Sequence, residues 1–227
     1  MDIEKPIAII PARGGSKRIL RKNIAEIGGT PLIYYAIDVC LESNLFSQVY
    51  INSDDREILD IAKKYGVKAY LRPEKLAFDD VYIIDVLKEM INSLNLCHND
   101  LGILLPTSPL RIPEDLIGAW NLYKEKKHTV VSVCKYETPV QLSQFINEDG
   151  RLYPFFPEEY NKTTRSYGHK ESFCYNGAII FNSALNILNQ TNLIGKSPYS
   201  FIMPEERSID IDSKYQLEMV RGILNKK

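Results

Sequence analysis

Short apolar runs alternate with amphipathic stretches along the first part of this chain, and that alternation limits its possible folds more than any other feature. The spacing predicts buried strands at 7–10, 48–53, 68–72, 101–105 and 129–133, and helices at 31–43, 81–94 and 113–127. Asp54, with Glu57 three residues later, is spaced to cap a further helix. A strand–helix rhythm of this kind predicts an α/β fold with a mostly parallel, mixed sheet and helices on both faces.

The rhythm breaks after residue 134. The stretch 135–175 is rich in proline, tyrosine and charge, and Asp149-Gly150 is a hairpin turn signal between short apolar stretches. We therefore expect one domain over 1–227 with an inserted β-rich arm at 135–175. The predicted elements after the arm are strands at 177–182, 200–203 and 208–212, and a helix that begins at Ser213 with Gln216 placed for a capping box.

Composition excludes several classes of protein. The net charge is -1, which argues against a nucleic-acid binder, and no apolar stretch is long enough to span a membrane. The acidic start is not that of a signal peptide. The four cysteines (Cys40, Cys97, Cys134, Cys174) form no CxxC pair, which is typical of reduced thiols in a cytoplasmic protein.

The first predicted strand runs into a loop that concentrates positive charge. Ten residues hold five cations beside Gly14 and Gly15: Arg13, Lys17, Arg18, Arg21 and Lys22. Ligands of α/β sheets bind beyond the carboxyl ends of the strands, and glycines let backbone N–H groups approach an anion. The loop therefore suits a triphosphate, although it matches neither GxxxxGK[ST] nor GxGxxG. A flexible loop with solvated cations is the alternative.

Two aspartates near the end of the chain form a candidate metal site. Asp210 and Asp212 alternate along the predicted strand "SIDID", so both side chains should face the same way. Two carboxylates beside a triphosphate suit Mg²⁺, which fills the rest of its shell with water and phosphate oxygens. A solvated strand edge with acids before the helix that starts at Ser213 is the alternative.

The order of the motifs resembles one enzyme family across nearly the whole chain. The chain is similar to the cytidylyltransferases that activate nine-carbon acidic sugars, namely the CMP-sialic acid synthetases and their relatives for legionaminic and pseudaminic acids. The matching stretches are "IAIIPARGGSKRILRKNI", "GGTPLIYYAI", "INSDDREILDIAKKYGV", "LRPEKLA", "PTSPLR", "YNGAIIF" and "SIDID".

The resemblance implies a Rossmann-like nucleotidyltransferase sheet, CTP and an acidic nine-carbon sugar as substrates, Mg²⁺ at Asp210 and Asp212, and a homodimer that exchanges the arm. It implies catalytic roles for Arg13, Lys17, Lys22 and Asp212. The implied nucleotide-binding residues are Arg13, Gly14, Gly15, Ser16, Lys17, Lys22, Asn23, Arg72, Asp79 and Ser108. The implied sugar-binding residues are Leu105, Thr107, Ser108, Arg111, Gln141, Arg165 and Asn176. No general base can be named.

Departures from the family pattern fall at the sugar end. Leu105 stands where a glutamine is common, and Gln141 stands where a lysine is common. "SKRILRKN" favours the pseudaminic branch and "TSPLR" the sialic and legionaminic branches, so the sugar stays open. The alternatives for the function are another sugar nucleotidyltransferase, such as a Kdo cytidylyltransferase or a sugar-1-phosphate type, and a non-catalytic nucleotide-binding paralogue.

Overall fold

A computed structural model describes residues 5–16, 18–163, 165 and 167–225. The strands are β1 (Ile7–Pro11), β2 (Glu26–Ile27), β3 (Thr30–Pro31), β4 (Gln48–Ser53), β5 (Lys68–Leu71), β6 (Asp100–Ile103), β7 (Val130–Lys135), β8 (Gln144–Ile146), β9 (Leu152–Pro154), β10 (Phe173–Ser183) and β11 (Tyr199–Ile202). The helices are α1 (Leu32–Glu42), α2 (Arg56–Lys64), α3 (Ile83–Ser93), α4 (Pro113–Lys126), α5 (Pro157–Lys162), α6 (Ala184–Asn189) and α7 (Lys214–Leu224).

Seven strands form one central sheet in the order β11-β7-β10-β6-β1-β4-β5. All neighbours in it are parallel except that β10 runs antiparallel to both β6 and β7. The mostly parallel, mixed α/β sheet predicted from the sequence is therefore confirmed. The strand predicted at 177–182 is longer than expected, because its first residues pair with the end of β7.

Helices cover both faces of the sheet, and the alternation along β1 explains how. Ala8 and Ile10 pack into a core with α1, α2 and α4, whereas Ile7 and Ile9 pack into a second core with α3 and α6. These strand residues are almost completely buried. A strand buried on both sides needs apolar residues at every position, which is why β1 has the sequence IAIIP.

A third, smaller core fixes the last helix beside the basic loop. Ile19 from that loop packs with Leu110, Ile211 and residues of α7. Ser213 caps α7 and forms the predicted capping box with Gln216. The loop after β1 and the last helix thus meet near the carboxyl end of β1, where a ligand is expected in such sheets.

Two local predictions are wrong. Residues 208–212 form no strand; they are an irregular segment between a 3-10 turn at Glu205–Arg207 and α7. Helix α2 is capped by Asp55, whose carboxylate accepts a hydrogen bond from Glu57 N at 2.9 Å, and not by Asp54. Asp54 instead accepts a hydrogen bond from Gly14 N at 3.0 Å, because the loop after β1 passes directly over it.

The segment 136–172, between β7 and β10, contains the hairpin of β8 and β9 and the short helix α5. Gly150 turns the hairpin with φ 81°, as the Asp-Gly signal predicts. Phe145 lies against Tyr153 and Phe155, yet all three side chains are more than 40% exposed. The role of this segment as a dimerisation arm stays a prediction. Among the described residues, no helix is long and apolar enough to cross a membrane.

Candidate active site

The basic loop forms one wall of a cavity of about 370 Å³ at the carboxyl end of β1. We call it the basic cavity. The loop after β6 forms the opposite wall. The basic cavity is lined by Pro11, Arg13, Gly15, Ser16, Arg18, Lys22, Asn23, Asp79, Leu105, Pro106 and Thr107. Eight of these were predicted as site residues, and Arg18 was left out of that prediction although it belongs to the basic run.

Arg13 is held on three sides. Its guanidinium donates to Gly15 O at 2.8 Å and to Phe78 O at 3.1 Å, and it forms an ion pair with Asp79 at 2.6 Å. Asn23 in turn donates to Arg13 O at 2.8 Å. The loop is therefore preorganised with a cation directed at the cavity, and Asp79, predicted as a nucleotide contact, lies at the same place.

Asp212 is paired with two cations of the basic loop. Its carboxylate lies 2.8 Å from Arg18 and 3.2 Å from Lys22, whose ammonium also donates to Ile211 O at 2.6 Å. The Lys22 side chain is only 12% exposed. The contacts thus bring Lys22 and Asp212 together across nearly the whole length of the chain.

Two other predictions for the loop have different outcomes. Gly14 leaves no room for a side chain, because a Cβ there would lie 2.7 Å from Asp55, and its N–H is already bonded to Asp54. That hydrogen bond holds the loop in place rather than leaving the N–H directed at a ligand. Lys17 lies outside the described residues, so its predicted role stays a prediction.

Asp210 is the second carboxylate of the predicted metal site, and it is more buried than Asp212. Burial raises its pKa above the usual value; a hydrogen bond with Thr107 acts in the opposite direction, and the nearby Asp212 adds to the rise. One oxygen, Oδ1, is buried and accepts no hydrogen bond from any residue in the described part of the chain. Such an orphaned carboxylate oxygen is costly unless a ligand satisfies it.

The donor set fits Mg²⁺. Asp210 offers a carboxylate oxygen that has no partner among the described residues, and Asp212 lies close enough to affect its pKa. Over the residues that the structure describes, no group of three or more histidine, cysteine or acidic side chains could hold a metal. A site with two carboxylates is what Mg²⁺ uses when water and phosphate oxygens complete its shell.

Three predicted substrate contacts lie in a buried polar network. Ser108 donates to Asn176 O at 3.2 Å, and the Asn176 amide connects Ser132 with Ser208. The guanidinium of Arg111 donates to Ala178 O at 2.6 Å and Leu105 O at 2.9 Å. Burial lowers the pKa of Arg111 to about 10. In these contacts the three residues hold the cavity walls together; their contact with substrate stays a prediction.

Arg72 is also buried. Its guanidinium donates to the Asn52 side chain at 2.8 Å and to Asn52 O at 3.3 Å, and burial lowers its pKa. Arg72 does not line the basic cavity in this structure. Its predicted contact with the nucleotide stays a prediction.

Leu105 separates the basic cavity from a second cavity of about 360 Å³ that is mostly apolar. We call this the apolar cavity. Its other lining residues are Tyr82, Ile83, Ile84, Tyr175, Thr191, Asn192, Leu193 and Ile194. None of these eight residues was predicted from the sequence, because they come from three distant stretches and carry no chemical motif. Leu105 was the one signal of an apolar environment here.

Gln141 and Arg165 lie in the arm and line neither cavity. Gln141 donates to Lys170 O at 3.2 Å, and Arg165 donates to the Tyr167 hydroxyl at 2.7 Å. Their predicted contact with the sugar stays a prediction.

Comparisons with known proteins agree on the type of enzyme. A family profile described as Cytidylyltransferase matches residues 7–149. The chain is 32% identical over 222 residues to the pseudaminic acid cytidylyltransferase of Campylobacter jejuni, which covers 96% of this chain and 95% of that protein. It is 34% identical over 225 residues to the N-acylneuraminate cytidylyltransferase of Escherichia coli, covering 98% of this chain but about half (53%) of that protein's length.

The solved structures support the fold. A CMP:2-keto-3-deoxy-manno-octonic acid synthetase complexed with CTP superposes with a TM-score of 0.72 at 17% identity, covering 98% of this chain and 99% of the other. A 4-diphosphocytidyl-2C-methyl-D-erythritol synthase superposes with a TM-score of 0.71 at 10% identity and the same coverage. Identities this low speak for the nucleotidyltransferase fold alone.

Proposed function

The chain belongs to the cytidylyltransferase family and is an enzyme, and we propose that it transfers CMP from CTP to the anomeric hydroxyl of a nonulosonic acid, releasing pyrophosphate. The observation that carries this proposal is the basic cavity. It places Arg13, Arg18 and Lys22 around one space at the carboxyl end of β1. The pseudaminic and N-acylneuraminate enzymes named above act on sugars of this class.

The cations of the basic cavity would hold the triphosphate by exchanging partners. Arg13 is paired with Asp79, and Arg18 and Lys22 share the single carboxylate of Asp212. Phosphate oxygens can take the place of these carboxylates, because arginine and lysine donate well to both groups. Binding then replaces ion pairs within the protein with charge-assisted hydrogen bonds to CTP.

The reaction needs no covalent intermediate with the protein. The anomeric hydroxyl oxygen attacks the α-phosphorus and its proton leaves to solvent; a new O–P bond forms, the bond from that phosphorus to the bridging oxygen of the β-phosphate breaks, and pyrophosphate leaves with the electron pair. Charge on the phosphate oxygens grows during this step, so positioned cations stabilise it. Arg13, Lys22 and Lys17 would take that role, and we assign no general base.

Asp210 and Asp212 would hold Mg²⁺ beside the phosphates. The ion would supply electrostatic stabilisation of phosphoryl oxygens. The protein's own contribution is to keep Asp210 in place: Ile211 N donates to Thr107 O at 2.8 Å, which fixes the segment against the loop that lines the basic cavity.

The sugar end favours a substrate with apolar substituents. Leu105 faces both cavities, so a sugar whose anomeric hydroxyl reaches the basic cavity would extend into the apolar cavity. Its walls would bury methyl groups of deoxy or N-acyl substituents more readily than free hydroxyls, which lose hydrogen bonds there. We propose a diacetamido, deoxy nonulosonic acid of the legionaminic type rather than sialic acid.

Assembly and location complete the proposal. The exposed aromatic residues of the hairpin suit contact with a second copy, because an isolated hairpin is marginal in water. We propose a homodimer in which each arm packs on the other subunit and brings Gln141 and Arg165 toward its sugar. All four cysteines are free, which supports a cytoplasmic location.

The decisive experiment is release of pyrophosphate from CTP, UTP, ATP and GTP with a panel of nonulosonic acids. We expect turnover with CTP only, and the best kcat/KM with a diacetamido deoxy sugar. Turnover with GTP but not CTP would contradict the nucleotide assignment. No release with any sugar, together with measurable CTP binding, would favour a non-catalytic nucleotide-binding protein.

A further inference from the structure

Two cysteines that the proposed reaction does not use face each other at the base of the arm. Cys134 near the end of β7 is directly opposite Cys174 near the start of β10, and their sulfur atoms lie 3.3 Å apart. Both side chains are partly exposed. They line an open cavity of about 550 Å³ that also contains Tyr175 and Asp210. A small reagent can therefore reach both sulfurs.

We propose that Cys134 and Cys174 form a dithiol site that a peroxide oxidises to an intramolecular disulfide. Cytoplasmic disulfides that form and break in this way are typical of redox-sensing sites. The bond would tie together the two strands that lead into and out of the arm.

The backbone geometry allows the bond without rearrangement. Two residues beyond Cys134, Tyr136 N donates to Ser172 O at 2.9 Å, so the two cysteines form a hydrogen-bonded type of pair in the antiparallel ladder. The Cα atoms of such a pair are about 5.5 Å apart. Disulfides span Cα separations of about 4.4–6.8 Å, so rotation of the side chains is enough.

The chemistry balances with one peroxide per pair. The first sulfur attacks a peroxide oxygen; an S–O bond forms, the O–O bond breaks, and the displaced oxygen leaves as hydroxide that becomes water. The second sulfur attacks the resulting sulfenic acid, an S–S bond forms, and a second water leaves. Two thiols are oxidised to one disulfide, and one peroxide is reduced to two waters.

A metal is the weaker occupant of this site. Two thiols without a third ligand do not make a structural zinc site, which needs four protein ligands. No third histidine, cysteine or acidic side chain of the described residues joins this pair in a metal-sized group. Cys40 and Cys97 are the remaining cysteines and serve as internal references.

Thiol counting on the intact protein tests the proposal. The reduced protein is treated with hydrogen peroxide in equimolar amount and denatured in an alkylating reagent, and its mass and non-reduced peptides are analysed. We expect two of the four cysteines to be lost to alkylation, a peptide containing Cys134 linked to one containing Cys174, and full recovery after dithiothreitol. The matched control Cys97→Ser should form the same link.

The Cys134→Ser variant should instead accumulate a sulfenic acid on Cys174, which dimedone traps. Four alkylatable cysteines in the treated wild-type protein would overturn the proposal, as would a link through Cys40 or Cys97, or a link between two chains. None of these readouts depends on the activity of the enzyme.

Discussion

The two cavities that meet at Leu105 differ in the kind of chemical group that they can bind. The basic cavity is lined by charges that are already paired with one another, such as Arg13 with Asp79 and Lys22 with Asp212. The apolar cavity has few polar groups and fixes shape rather than charge. A triphosphate is recognised through charge, and substituents of a sugar through what they lose or gain on burial.

The difference explains why the family motifs are unevenly preserved along this chain. A triphosphate presents the same charges to every enzyme that binds CTP, so the residues around it have few alternatives. A sugar can vary at each carbon, and an apolar wall can change with it one side chain at a time. Leu105, in place of the common glutamine, lies where these two requirements meet.

The largest expected effect is at the charged end. Asp212→Asn should lower kcat by about 10²-fold, the size of effect seen when one preorganised electrostatic contact to a transition state is lost. The KM for CTP should not rise, because the variant releases Arg18 and Lys22 from their carboxylate partner. Steady-state kinetics over a range of Mg²⁺ concentrations measure both effects.

Glu218→Gln is the matched control, since among the described residues that exposed carboxylate forms an ion pair with Arg221 alone, on the surface of α7. Lys17→Ala and Lys22→Ala should differ from Asp212→Asn by weakening CTP binding as well as slowing the reaction. Wild-type kcat and unchanged Mg²⁺ dependence in Asp212→Asn would remove the metal site from the proposal.

The second-largest effect on activity is expected at Leu105, which lies between the two cavities. Leu105→Gln should move the ratio of kcat/KM values toward sialic acid by about tenfold, because one satisfied hydrogen bond contributes about 1 kcal/mol and its loss from a buried hydroxyl costs more. Competition assays with the two sugars measure the ratio. Leu71→Gln, an exposed leucine on the edge strand, is the control. A hundredfold preference of the wild-type enzyme for sialic acid would contradict the proposed substrate.

The arm allows the two ends of the site to be tested separately, because the residues that line the basic cavity all come from one chain. Phe145→Ser combined with Ile146→Ser should weaken the proposed homodimer several-fold, measured by light scattering at micromolar concentration. The resulting monomer should bind CTP as before and show a higher KM for the sugar. Leu185→Ser, equally exposed on α6, is the control. A wild-type protein that is monomeric under these conditions would show that the arm has another role.

The smallest effect is on stability. Because burial raises the pKa of Asp210, its ionised form is less favourable in the folded protein than in the unfolded chain. The free energy of unfolding should therefore fall as the pH rises through that pKa. Without metal, Asp210→Asn should melt at a higher temperature than the wild type at pH 8, and the gain should vanish below the unfolded pKa. A lower melting temperature at pH 8 would show that the carboxylate is stabilised by its surroundings.

Most of the sheet could be predicted because each strand has its own apolar run. The position of β10 could not be predicted. This strand lies between β6 and β7 and pairs with both, and these contacts join residues that are far apart in the chain. The segment at Asp210 was predicted as a strand because its apolar and acidic residues alternate. Neighbouring strands are needed for a ladder, and here the segment packs instead against the loop that contains Thr107.

The basic cavity was predictable from one continuous run of cations, whereas burial of individual polar residues was not. Arg111 donates to the backbone carbonyl of Ala178, and Asn176 accepts from the backbone N–H of Ala178, although either side chain would suit a ligand as well. Only the three-dimensional surroundings decide between these partners. The apolar cavity is harder still, because ordinary core residues such as Leu193 form it and nothing in their sequence sets them apart.

The place of β10 in the sheet also sets an order of assembly. Strands β1, β4, β5 and β6 can pair as soon as residue 103 has been made, because no later strand lies between them. Strands β7 and β11 can join them only through β10, after the whole arm has been synthesised. Closing that long loop is entropically costly and slow. We expect the first half of the sheet to form early on the ribosome, and the pairing of β10 to limit the rate of folding.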